Sequence, residues 1–162
     1  MSHTKKRVSD AELVWGKIKG IRVAMLTTVE ESGILHSRPM VALDREFDGE
    51  VWFLTMEATP KVDEALHHRQ VAVSYVKPNE TVFVSLSGIA ELVHDQKAVK
   101  KLWKSAYQDW LPVGPDDPTM AVLKVHVERA EYWVTPGGKR NVLSFLTKGS
   151  EQIGEDVRLD MH

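Results

Sequence analysis

Cysteine is absent from the chain, which removes disulfides, thiolate metal ligands and a cysteine nucleophile together and fits a reducing compartment. Long apolar runs are absent too. None approaches the roughly 20 residues of a membrane span, and the opening MSHTKKRVSD holds no apolar segment of the signal-peptide kind. Excess charge of one sign is also missing. The 21 lysines and arginines and 23 aspartates and glutamates leave a formal −2, mixed along the chain, so no broad field draws a nucleic-acid backbone or an anionic membrane. A soluble cytoplasmic protein, with neither nucleic acid nor membrane as partner, is the expectation. The sequence contains no H-E-x-x-H, G-x-S-x-G, Walker loop or G-x-G-x-x-G, so metalloprotease, α/β-hydrolase, P-loop and Rossmann chemistry lack their motif. Seven histidines are scattered, and the adjacent pair His67-His68 would point about 100° apart on a helix, so no metal site is expected.

What is present is a chain of 162 residues, 43% hydrophobic, long enough for one domain with a proper core. Ser9-Asp10-Ala11-Glu12 has the form of a capping box, with Ala11, Val14, Trp15 and Ile18 on one helical face before Gly20. Ile21 to Val29 and Ile34 to Leu43, separated by the turn cluster Glu30 to Gly33, predict a hairpin. A polar turn from Asp44 to Glu50 leads to the strand Val51 to Thr55. Thr59 as N-cap and Pro60 at the first helical position then open a helix of about three turns.

Strands follow over Val71 to Val76 and Thr81 to Ser87, joined by the turn Lys77-Pro78-Asn79-Glu80. Gly88 interrupts a longer strand running on to Val93, as a bulge or barrel corner would. Asp95 can cap a helix whose Val99, Leu102, Trp103, Ala106 and Trp110 share a face, which reads either as core or as a dimer seam. A loop follows over Leu111 to Pro118. Met120 to Val127 and Ala130 to Val134 are extended, with a polar break at Glu128-Arg129. The pattern predicts a single domain over 1–147 and a frayed polar tail over 148–162. About six strands with short helices inserted argue for a mainly β fold, a six-stranded antiparallel barrel with helical additions. A doubly wound parallel sheet fits less well, because several strand connections are too short for a crossover helix.

The oddest stretch is HSRPM, which puts Arg38 and Pro39 inside a strand. If the second and third strands pair, Arg38, Thr55 and the helix start at Thr59-Pro60-Lys61 converge. They would offer a guanidinium, an ammonium, hydroxyls and free N–H groups to a phosphate. Taken alone, Arg38 and Lys61 read more readily as solvated surface charges and Thr59 as a plain cap.

The segments HSRPMVAL, VWFLTMEATPKVDEA, VFVSLSGIAELV and AEYW resemble the pyridoxamine 5′-phosphate oxidase-like split barrels, and among them the general stress proteins, from about Ile21 to about Trp133. The resemblance implies a split β-barrel that binds FMN at a homodimer interface. It assigns the flavin-binding strand to Ser37, Arg38, Pro39, Met40 and Val41, and the end of the next strand to Phe53, Leu54 and Thr55. Lys61, six residues past Thr55, takes the place of the lysine on the FMN phosphate. Trp133 matches a tryptophan that reaches the flavin of the other subunit.

Three departures qualify it. Pro60 stands where the oxidases carry an arginine, and Phe83 where they carry a polar residue near the ring. The R-x-H element after the tryptophan is replaced by Val134-Thr135-Pro136-Gly137-Gly138-Lys139-Arg140-Asn141. The resemblance therefore implies an FMN-binding protein without vitamin B6 oxidase activity. An FMN-dependent oxidoreductase of the flavin-reductase type is the alternative, and related barrels bind deazaflavin or haem.

Overall fold

The capping box forms in full: Ser9 Oγ accepts from the Glu12 N–H at 3.2 Å, and Glu12 Oε2 accepts from the Ser9 N–H at 2.9 Å. Helix α1, Asp10–Ile18, follows and buries Val14 and Ile18. Gly20, at φ +82, makes the left-handed turn that sends the chain into the first strand. In the computed structural model, residues 9–56, 69–77, 79–80, 82–134 and 155–160 are described. The helix expected from Thr59, with Lys61 and the His67-His68 pair, lies outside them.

Strands β1 Val23–Val29, β2 Leu35–Ala42, β3 Glu50–Met56, β4 Gln70–Lys77, β5 Val82–Val93 and β6 Met120–Val134 are joined in the order β3-β2-β1-β4-β5-β6, and β6 pairs again with β3. The result is the closed antiparallel six-stranded barrel that the strand pattern implied. Closure of β6 on β3 covers strand edges that would otherwise invite aggregation. Inward side chains Leu26, Phe53, Val73, Leu86, Leu123 and Ala130 are fully buried and make one core cluster with α1 plugging an end of the barrel. Burying each large apolar side chain contributes about 1.5–3 kcal/mol.

Gly88 has the role its position suggested. Ser87 pairs with Arg129 but Gly88 pairs with Val127, so Glu128 is the extra residue of a bulge in β6. A Cβ on Gly88 would meet the His126 carbonyl oxygen at 1.9 Å, which only a residue without one avoids. The expected polar break at Glu128-Arg129 is thus a bulge within one long strand. There β6 changes neighbours: positions 120–126 pair with β3, while 129–134 pair with β7, Glu155–Asp160.

Strand β7 corrects the expectation of a frayed tail over that segment. Val157 and Leu159 recur at the strand period of two between charged residues, and their register places them opposite Tyr132 and Ala130. Six residues at the end of a polar stretch are too short a pattern to stand out without that neighbour.

The helix after Asp95 also differs. Asp95 Oδ1 accepts from the Ala98 N–H at 3.0 Å, as a cap does, but helix α2 spans only Gln96–Leu102. Trp103 is extended, and a separate 3₁₀ turn runs over Ser105–Asp109. The Asp44 N–H donates to the Tyr107 hydroxyl at 3.1 Å and Lys104 pairs with Asp44, so the turn is pulled onto the β2–β3 connection. Val99, Tyr107, Trp103 and Leu102 pack on Val41, Leu54 and Val122 in a second cluster, whereas Trp110 is 60% exposed. The single face that would have carried both tryptophans does not exist.

Candidate functional site

Strand β2 pairs with β1 along its whole length, Val23↔Val41 through Val29↔Leu35, but with β3 only at Val41↔Leu54 and Ala42↔Phe53. Its first half therefore has no strand on that side among the described residues. Pro39 sits in this half, exposed, where its missing N–H takes no bond from a ladder.

Alternation along β2 divides the expected residues between two faces. Arg38 and Met40 pair with Leu26 and Ala24 of β1, both buried in the core, and so turn inward. Met40 is buried in the core cluster, while Arg38 is half-buried and donates through Nη1 to the Thr28 hydroxyl. Thr28 is itself fully buried. A buried hydroxyl thus accepts from the guanidinium at the end of the barrel away from α1. Two residues before Arg38, His36 faces Glu30 across the hairpin, with Nε2 3.0 Å from Oε1.

Thr55 is fully buried, and its hydroxyl makes a long 3.5 Å contact with the Met56 carbonyl oxygen. One step beyond the Val41–Leu54 pair, the antiparallel register sets Thr55 level with Met40. Thr55 and Arg38 thus approach the same end on adjacent strands. Phe53 is wholly in the barrel core and Leu54 wholly in the second cluster, and the backbones of both lie between β2 and β6, so the fold itself uses these two residues. Lys61, the expected phosphate lysine, is outside the described residues.

The other face looks outward. Ser37 Oγ lies 2.6 Å from Thr27 Oγ1, and the paired positions continue across the wall. Pro39, Met25, Ser74, Ser85 and Glu131 form one row; Ser37, Thr27, Ala72, Ser87 and Arg129 form the next. A third row carries Val76, Phe83 and Trp133. Trp133 is half-buried beside Phe83, on the part of β6 that pairs with β5 and β7 rather than with β3.

Thr28 was not anticipated as part of this site. The available signal was its place at i+4 from Ala24 and i+2 from Leu26, a polar residue on an otherwise apolar strand face.

The chain matches the family model described as pyridoxamine 5′-phosphate oxidase like over residues 9–154. Among solved structures it resembles the general stress FMN/FAD binding protein of Xanthomonas citri, with TM-score 0.64 and 26% identity over 81% of this chain and 90% of that one. General stress protein 26 of Bacillus anthracis shares the fold, with TM-score 0.67 and 20% identity over 92% of this chain and 98% of the other. Protein bli-3 of Neurospora crassa is 26% identical over an alignment of 124 residues, with 70% of this chain and 59% of that protein covered. The family match covers most of the chain, and the chain belongs to the pyridoxamine 5′-phosphate oxidase-like family.

Proposed function

From that membership, we propose that this chain is a cytoplasmic, general-stress-type flavin-binding protein that holds FMN at the seam of a homodimer and does not oxidise vitamin B6. The observation that carries the reading is the placement of Arg38. A guanidinium anchored on a buried hydroxyl, at the half of β2 that β3 leaves free, suits the phosphate end of a flavin nucleotide. The backbone of Arg38 to Val41 would run along the ring, with Thr55 and Lys61 completing the phosphate contacts.

Support for the seam comes from the outward wall of β1, β2, β4 and β5. It leaves Met25 41%, Val76 48%, Ile89 38% and Leu35 66% exposed, and no described helix packs over it. An apolar surface of this kind is expected to meet a partner. A second copy would also carry Trp133 to a flavin that its own chain keeps at a distance. The hydroxyls of Ser37, Thr27, Ser74, Ser85 and Ser87, scattered among apolar positions, suit a flat ring that needs both stacking and hydrogen bonds.

Bound FMN supplies hydride and one-electron chemistry by its own structure, and the protein binds, orients and shields it. Titration of the purified chain with FMN and with riboflavin tests the reading. Tighter binding of FMN, with the preference lost in an Arg38→Ala, Lys61→Ala double variant, is expected. A double variant that holds FMN as well as the wild type contradicts it. Pyridoxamine phosphate is expected to give no turnover, and bleaching of the bound flavin by NAD(P)H would move the protein to the oxidoreductase class.

A further inference from the structure

We propose that a cavity at the α1 end of the barrel is a second ligand site, separate from the flavin site, for a small monocarboxylate with a ring-sized apolar body. The cavity measures about 230 Å³ and lies between α1, the start of β1, the β2–β3 connection and the 3₁₀ turn. It takes Ala42, Leu43 and Asp44 from β2 and the residues after it. These are four to six positions from Arg38, roughly 13–20 Å along an extended strand.

Its walls are apolar where they are deepest. Ile18, Phe47, Val51 and Trp15 line it, and all belong to the barrel core or pack on it. An apolar protein cavity of about 150 Å³ accepts a benzene ring, so this one has room for a ring and a short arm.

Two polar groups in the lining are left without a partner among the described residues. The first is Tyr75, only 3% exposed, whose hydroxyl makes no hydrogen bond there. Burial pushes its titration well above the ordinary phenol value, so it stays a neutral donor. A buried donor without an acceptor is costly and invites one from a ligand. The second is Arg22 at the rim, whose exposed guanidinium has no described carboxylate.

The other charges of the lining are matched. Lys104 pairs with Asp44, Arg45 pairs with Asp48 at 2.9 Å, and Glu50 accepts from Trp52 Nε1 at 2.8 Å. Counting the lining alone, the three cations Arg22, Arg45 and Lys104 against the two carboxylates Asp44 and Glu50 leave a net +1. Arg22 carries that surplus, and it lies close enough to Lys104 to oppose its protonation. An apolar chamber with a neutral donor inside and one uncommitted guanidinium at its mouth is complementary to an aromatic acid, whose carboxylate a guanidinium can hold through two hydrogen bonds.

Isothermal titration of the full chain with 3-phenylpropionate, and with its neutral amide, tests the assignment. Saturable binding of the acid, tighter than that of the amide and unchanged by saturating FMN, is expected. Arg22→Gln is expected to weaken the acid by about tenfold while leaving the amide as in the wild type. Tyr75→Phe, which removes no described contact, is expected to weaken both ligands by about fivefold. No saturable heat, equal binding of acid and amide, or wild-type affinity in either variant overturns the proposal. Competition by FMN overturns its separateness from the flavin site.

Discussion

Over the end of β2, β3 and the first half of β6, the outward side chains Val41, Leu54, Val122 and Met120 disappear beneath α2 and the 3₁₀ turn; over the start of β2 and over β1, β4 and β5, the outward Leu35, Met25, Val76 and Ile89 stay in solvent. Both halves belong to one closed barrel with one inner core. The chain that follows each half makes the difference. Asp95 starts a helix that folds back over the first half, and Lys104 and Tyr107 fasten the next turn to Asp44. Among the described residues, nothing equivalent reaches the second half. A covered wall is stability within one chain, and the uncovered wall is the one proposed above as the dimer seam.

Substitution should separate the two halves most strongly at equivalent outward positions. Leu54→Ala, in the covered half, is expected to cost about 2–5 kcal/mol in chemical denaturation. Met25→Ala, at a dilution that separates the chains, should change the unfolding free energy by no more than about 0.5 kcal/mol. Similar losses at both sites would erase the distinction.

Association should respond in the opposite sense. Met25→Lys places like charges on both sides of a two-fold seam and is expected to weaken dimerisation by about a hundredfold, read by sedimentation. Its secondary structure should be that of the wild type.

The flavin site proposed at the first half of β2 predicts an effect of lower rank. Arg38→Ala is expected to weaken FMN by about 1.5–3 kcal/mol, the range for a hydrogen bond to a charged group. Thr28→Val removes the hydroxyl that accepts from the Arg38 guanidinium, and about a fivefold loss of FMN affinity is expected from the missing hydrogen bond. Equal losses for FMN and riboflavin in either variant would take Arg38 off the phosphate.

The smallest effect lies where the strands of the two halves meet. His126 of β6 lies 3.0 Å from Glu50 of β3 through Nδ1 and 3.0 Å from Glu91 of β5 through Nε2. The hydrogen bond from His126 holds the Glu91 carboxyl below its ordinary 4.5. A carboxyl lowered in the folded state adds stability above pH 4.5 that is lost as the pH falls through the lowered value. Glu91→Gln should therefore make the acid limb of the melting temperature against pH slightly shallower and leave the neutral limb unchanged.

Much of the local framework was legible in the sequence, because local chemistry specifies it. The capping box at Ser9, the cap at Asp95, the hairpin around Gly33 and the corner at Gly88 are short-range signals that hold in any context. Features that depend on distant neighbours were not legible. Strand β7 needs β6 at positions 129–134, and the helix break at Trp103 needs Asp44, some sixty residues earlier. At the site, Arg38 stood out because a charge within a strand is unusual, but its partner Thr28 is an ordinary strand residue that only the register identifies. The Tyr75 cavity gave no sequence signal at all, since a tyrosine on an alternating strand is what a core position commonly holds.

Light scattering of the FMN-loaded protein, with flavin absorbance recorded across the same peak, tests the central claim most directly. The account predicts a mass near twice the 18.3 kDa of one chain, with the flavin travelling at that mass and leaving when Met25→Lys separates the chains. Flavin retained on a species of 18.3 kDa would contradict it.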